Sequence, residues 1–229
     1  MAKATNNPRF AYDAYRRLLD MFGDVVLGMP HEDFERRLEK VLKETGKTAD
    51  TEFNVDDLKK LCEEYKQVYT ENNHVFPEDP FDQLKACIRA VFGSWNSERA
   101  VKYRQINDIR GLKGTACNIQ TMVMGNRGNT SGTGVAFSRD PGTGVRVLQG
   151  EYLINAQGED VVAGIRTPEP ISRMKDEMPE AYMQFIRNIE LLEKHFKDMQ
   201  DVEFTVEEGK VNSILLICIY TLFFNQFIL

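Results

Sequence analysis

Gly125-Asn126-Arg127-Gly128-Asn129-Thr130-Ser131-Gly132-Thr133-Gly134 reads GNRGNTSGTG, and its placement decides the fold. It lies between two runs rich in β-branched residues. Upstream, Thr115 to Met124 (TACNIQTMVM) predicts a strand; downstream, Gly134 to Ser138 (GVAFS) predicts another. Small residues let a backbone approach a ligand closely, successive amide N–H groups can form an anion nest, and the hydroxyls add donors. A nucleotide phosphate would suit such a loop. The alternative is a plain hairpin connection, which needs the same residue types for its turn.

Outward from this stretch, the C-terminal side continues as short strands and helices. Val145 to Ile154 and Asp160 to Ile165 predict further strands, Glu169 to Met178 and Pro179 to Met199 predict helix, and Asp201 to Val206 alternates as a last strand. The N-terminal side is different. Phe10, Tyr15, Leu18, Leu19 and Phe22 recur at helical spacing after Asn7-Pro8, as do Phe34, Leu38, Val41 and Leu42 between His31 and Lys43. Asn54 and Asp57 predict a capped helix carrying Leu58, Leu61, Tyr65 and Val68 on one face. Asp82 to Trp95 predicts a fourth helix, and Ser97 caps a fifth that ends near Ile106. The expected fold class is therefore α+β: a helical block, 8–106, precedes a mainly antiparallel sheet with packed helices, 107–210.

The chain has 229 residues and a formal net charge of −6. That length is enough to bury a core, and the mild acidity argues against a general nucleic-acid binder. The four cysteines are far apart and form no C-x-x-C pair, which argues for free thiols over zinc or redox chemistry. The histidines, His31, His74 and His195, share no ligand spacing. Gly46-Lys47-Thr48 imitates the end of a Walker A loop, but Val41 stands where that motif needs glycine and the segment follows a helix. The first residues show neither an apolar core nor an Arg-rich stretch, so no targeting peptide is visible.

Asp201 and Glu203 alternate on the last predicted strand, so both side chains point to one face. Two carboxylates near a phosphate loop suit Mg²⁺, which takes a few carboxylates plus phosphate oxygens. A solvated strand face explains the pattern equally well. Beyond Lys210 the texture changes: Ile214 to Phe224 (ILLICIYTLFF) is uncharged and apolar. That run is too short to cross a bilayer, which takes about 20 residues. Its alternation predicts a strand apolar on both faces, and 211–229 is treated as an aberrant tail.

Four strings carry a resemblance: NPRFAYDAYRR at Asn7–Arg17, GNRGNTSGTGVAFSRDPGTG at Gly125–Gly144, GEYLINAQGEDVVAGIRTP at Gly150–Pro168 and DVEFTVEEGK at Asp201–Lys210. From Asn7 to about Lys210 the chain resembles the nucleotide-binding domain of the pyruvate phosphate dikinase family. The resemblance implies an ATP-grasp fold, incomplete at both ends, that binds ATP with Mg²⁺. It implies that Gln120, Met122 and Val123 line the adenine pocket, that Thr133 and Gly134 belong to the loop over the phosphates, and that Glu159 lies near the ribose and phosphates. Asp201 and Glu203 become the acids that hold Mg²⁺ and nucleotide, and the block 8–106 a helical insertion without catalytic residues.

The family also has a phosphate-gripping lysine and arginine before this region and a Leu-Gln-x-Arg motif after the last strand. It has a phosphocarrier histidine and a pyruvate-binding barrel as well. None has a counterpart here; Val211-Asn212-Ser213-Ile214-Leu215 stands where the Leu-Gln-x-Arg motif is due. The expectation is a fragment of the ATP-binding domain, inactive alone. In the full-length family, ATP, phosphate and pyruvate become AMP, pyrophosphate and phosphoenolpyruvate. The alternative is a non-catalytic binding module or decoy that associates with full-length subunits; a membrane tether is the third reading. The abrupt end of the match at Lys210 is read as translated noncoding sequence. The compartment expected is the cytoplasm or plastid stroma.

Overall fold

The computed structural model describes the backbone of residues 1–162 and 166–217, and their side chains except at 162 and 212–217. The chain forms two compact units, Met1–Gln120 and the described residues from Thr121 onward.

The first unit is helical. After a short α1 (Ala2–Thr5), Asn7 accepts a hydrogen bond from the Phe10 N–H and Pro8 occupies the first turn, which starts α2 (Pro8–Met21). The helix runs on as a π-helical turn, Phe22–Val26, and the chain then reverses at Gly28 with positive φ. α3 (His31–Thr45) stops at Gly46, which adopts the left-handed conformation that favours glycine. Before α4 (Val55–Glu71), Asn54 and Asp57 cap each other's backbone N–H groups in a full capping box, as their spacing predicts. Asp79 caps α5 (Pro80–Ser94) and Ser97 caps α6 (Glu98–Ile106). The core gathers Leu19, Phe22, Phe34, Val41, Leu58, Leu61, Tyr65 and Val68, all buried. Phe34 sits edge-on to both Tyr65 and Tyr69, and the Tyr69 hydroxyl donates to the Leu19 carbonyl at 2.5 Å. Buried Arg16 lies between Asp13 and Asp50, so the charge taken out of water is paired.

The second unit is a five-stranded antiparallel sheet with helices on one face, as the α+β reading requires. In chain order come β1 (Gly132–Phe137), β2 (Gln149–Ile154), α7 (Gly158–Val162), β3 (Glu169–Pro170), α8 (Met174–Glu177), α9 (Pro179–Phe196), β4 (Asp201–Glu207) and β5 (Lys210–Ile217). The sheet order is β3-β2-β1-β4-β5. Directly paired residues share a face. Ala136, Tyr152, Val202, Phe204 and Val206 point to one side, where they bury against Met174, Ala181, Phe185 and Ile189 of α8 and α9. The Phe185 and Phe204 rings lie 4.1 Å apart between centroids.

Three local expectations change. Thr115–Met124 forms no strand: a strand exists only with a ladder partner, and both sides of β1 are taken by β2 and β4. The strand expected at Asp160–Ile165 begins instead as α7, because the Gln157 N–H donates to Asp160 Oδ2 while the Asp160 N–H donates back to the Gln157 carbonyl; residues 163–165 lie outside the described residues. Glu169 and Pro170 pair with Tyr152 and Glu151 before a 3-10 turn, so the helix expected from Glu169 is delayed to Met174. Proline suits this position, since an edge strand spares it a ladder N–H. Beyond Lys210, β5 pairs along β4 down to Asp201↔Ile217, with a bulge between Thr205 and Val206 that leaves Asn212 as the extra residue.

Candidate functional site

The face of the sheet opposite α8 and α9 carries Asp201 and Glu203. On β4 the burial alternates: Val202, Phe204 and Val206 are buried, whereas Asp201, Thr205 and Glu207 are part-buried and Glu203 is exposed. Register adds β1 and β2 to this face. Phe137 pairs with Asp201, Val135 with Glu203 and Thr133 with Thr205, while Glu151 pairs with Val135 on the other side. Thr133, Asp201 and Glu203 are thus brought to one surface. Glu151, given no role in the sequence reading, shares that surface; only the strand register shows it.

The other expected residues are placed differently. Gly134 lies within β1, on the core side; a Cβ there would fall 2.8 Å from the Phe204 ring and 2.5 Å from the Glu151 carbonyl oxygen. Thr133 is buried and its hydroxyl donates to the Phe204 carbonyl at 3.0 Å. Glu159 is exposed in the first turn of α7. α7 lies against β1, reached from the Ile154 end of β2, which pairs with Gly132. Asp201 pairs with Phe137 at the far end of β1, roughly 17 Å along the strands. Met122 is exposed and Val123 part-buried, both in irregular backbone at the start of the second unit. Gln120 is exposed and ends the first unit.

Asp201 and Glu203 are unusual acids. Among the described residues neither takes part in an ion pair. Burial pushes the Asp201 carboxyl above the ordinary aspartate range. Burial does the same to Glu203, and the neighbouring Asp201 charge adds to it. Glu203 is still open to water, which screens both effects. Two carboxylates without a protein cation are a fit for a divalent ion that brings its other ligands with it. Among the described residues no group of three or more His, Cys, Asp or Glu gathers as a self-sufficient metal cage.

The glycine-rich loop is held from inside the protein. The Gly125 N–H donates to Gln157 Oε1 at 3.2 Å, the Gly128 N–H to Asn155 Oδ1 at 3.1 Å and the Ser131 N–H to the Gly128 carbonyl at 3.0 Å. The Met124 N–H donates to Glu207 Oε2 at 3.1 Å. These four donors are spent on the protein, three of them within the loop. The residues that hold them, Asn155, Gln157 and Glu207, were missed. The signal for Glu207 was present, since the alternation that places Asp201 and Glu203 extends to it.

The antiparallel sheet with α8 and α9 on one face and acids on the other is an α+β domain. The chain belongs to the pyruvate phosphate dikinase family: residues 45–188 match the family described as pyruvate phosphate dikinase, AMP/ATP-binding domain. It is 59% identical over 209 residues to the chloroplastic pyruvate, phosphate dikinase of Mesembryanthemum crystallinum, covering 91% of this chain and 22% of that relative. It is 56% identical over 212 residues to the Clostridium symbiosum pyruvate, phosphate dikinase, covering 92% and 24%. Identity to the Arabidopsis thaliana chloroplastic enzyme 1 is 58% over 209 residues, covering 91% and 22%. The chain therefore spans about a quarter of the length of the curated relatives it matches. Among the described residues no helix is long and apolar enough to cross a membrane.

Proposed function

We propose that this chain supplies one wall of the ATP site of a pyruvate phosphate dikinase, and that the nucleotide lies along the face of the sheet opposite α8 and α9. The observation that carries the reading is the pair Asp201 and Glu203, on one face of β4 and, among the described residues, outside any ion pair. They would hold Mg²⁺ with ATP; the ion neutralises charge on the phosphate oxygens during phosphoryl transfer. Thr133 and Gly134 would belong to the segment over the phosphates. Met122 and Val123 would meet the adenine, and Glu159 the ribose end. The reaction served is the conversion of ATP, phosphate and pyruvate into AMP, pyrophosphate and phosphoenolpyruvate. A cytoplasmic or plastid compartment accords with the chloroplastic names of the plant relatives.

Calorimetry with MgATP tests this. The chain should bind in the high micromolar range or more weakly and form no AMP from pyruvate. The Asp201→Asn/Glu203→Gln double variant should lose Mg-dependent binding, about 10- to 150-fold for each charge-assisted contact of about 1.5–3 kcal/mol. MgATP affinity that the double variant leaves unchanged would reject the site.

A further inference from the structure

One acid on the β4 face does something the others do not. Glu207 splits its carboxylate between two groups of a segment about 80 residues earlier. Its Oε2 accepts the Met124 N–H at 3.1 Å, and its Oε1 accepts Arg127 Nη1 at 2.6 Å. Both side chains are largely shielded, with 21% and 23% exposure for Arg127 and Glu207. The adjoining turn adds to the link. Arg127 Nη2 reaches Glu208 Oε1 at 3.0 Å, the Glu208 N–H donates to Ser131 Oγ at 3.0 Å, and the Gly209 N–H donates to the Thr130 carbonyl at 2.7 Å.

Glu208 and Gly209 both have positive φ, 48° and 80°, the geometry of a two-residue turn that follows the twist of its strands. Glutamate rarely adopts that conformation. Its contacts with the loop hold it there. Residues 121–123, in contrast, belong to no helix or strand. The Met124 N–H is therefore where this irregular segment is fastened to the strand that bears Asp201 and Glu203.

We propose that Glu207, assisted by Arg127, is a positioning residue: it fastens the segment that carries Met122 and Val123 to the strand that bears Asp201 and Glu203, so that base and phosphates of one nucleotide are met together. The proposal rests on the reading that nucleotide binds this face. A fully extended seven-residue strand from Asp201 to Glu207 is about 20 Å long. A carboxylate at its end that grips the base-side segment fixes the distance between the two halves of the ligand. Removing the grip leaves the acids in place and lets the segment drift, so the loss falls on the nucleoside part of the ligand.

The experiment compares MgATP with magnesium tripolyphosphate, which has the phosphates and no base, by calorimetry on the full chain. Wild type should bind MgATP more tightly than tripolyphosphate. Glu207→Ala should weaken MgATP about tenfold, toward the tripolyphosphate value, and leave tripolyphosphate within about twofold. Glu207→Gln keeps an oxygen for the Met124 N–H and should recover most of the loss. Arg127→Ala keeps the Met124 bond and should lose about threefold; with the Gln variant it decides the matter if Glu207→Ala does not fold. Equal weakening of both ligands would show a merely structural role, and no change in either would show none; each overturns the proposal. A wild-type chain that binds tripolyphosphate as well as MgATP would reject the nucleotide reading, and the proposal with it.

Discussion

Gly134 on β1 stands in register with Phe204 on β4, and no room exists for a Cβ between its Cα and the Phe204 ring. The ring in turn packs on Phe185 of α9. The glycine is therefore a packing requirement of the sheet. Gly134→Ala should destabilise the second unit by about 1–3 kcal/mol through overpacking. At roughly 2–4 °C per kcal/mol for a chain of this size, thermal melting will register it. An unchanged melting temperature would show that the Phe204 ring moves aside freely.

The β4 acids set a pH dependence whose sign is fixed. Asp201 and Glu203 both bind protons more tightly in the folded state than in the unfolded one. Between the two pKa values the folded state holds more protons, so stability falls as pH rises. Their favourable contribution is present below the unfolded carboxylate range and is lost as pH rises through the folded values. Asp201→Asn/Glu203→Gln should then raise the melting temperature of the second unit near neutral pH and flatten its acid-side slope. Denaturant titrations across the carboxylate range measure this. A double variant less stable than wild type at neutral pH would contradict it.

In the first unit, the capping box before α4 is an exposed local determinant. Asn54→Ala removes the acceptor for two N–H groups and should cost about 1 kcal/mol, within 0.5–2. Asp57 adds a pH signature of the opposite sign to that of β4. Its hydrogen bond from Lys47, with the Asn54 N–H and nearby charge, holds it below the ordinary aspartate range. That stabilisation is present above the unfolded pKa and is lost as pH falls through the folded value. Circular dichroism melts of wild type and Asn54→Ala between acid and neutral pH will show whether the helical unit responds.

β5 is a structural strand over the residues described, although its sequence reads as an aberrant tail. Val211 packs against the cluster beneath the sheet, and the ladder with β4 continues to Ile217. Ending the chain after Lys210 should therefore expose the outer edge of β4 and lower the melting temperature of the second unit by several degrees. It should also promote association, because an unpaired strand edge is a template for another chain. A shortened chain as stable and as monomeric as wild type would exclude this role for β5.

The sequence by itself determined what is local. Helices α2 to α6 follow from side chains a few residues away: Asn7 and Pro8, Gly46, Asn54 with Asp57, Asp79 and Ser97. The periodic Leu, Phe and Tyr residues that form their core were legible for the same reason. The alternation of Asp201 to Glu207 was local too, so two acids on one face of a strand needed no fold to be seen. Tertiary structure decided everything that depends on a partner distant in the chain. Thr115–Met124 has strand composition but no neighbour to pair with, and the Met124 N–H goes to a carboxylate 83 residues away. Glu151 reaches the face of Asp201 and Glu203 only through the register of three strands, and the Gly125 and Gly128 N–H groups turn inward because Gln157 and Asn155 arrive to take them. Hydrogen bonding is short-ranged, so a backbone donor's partner is fixed only when the chain has folded back on itself; helix caps know their partners in advance, and loops do not.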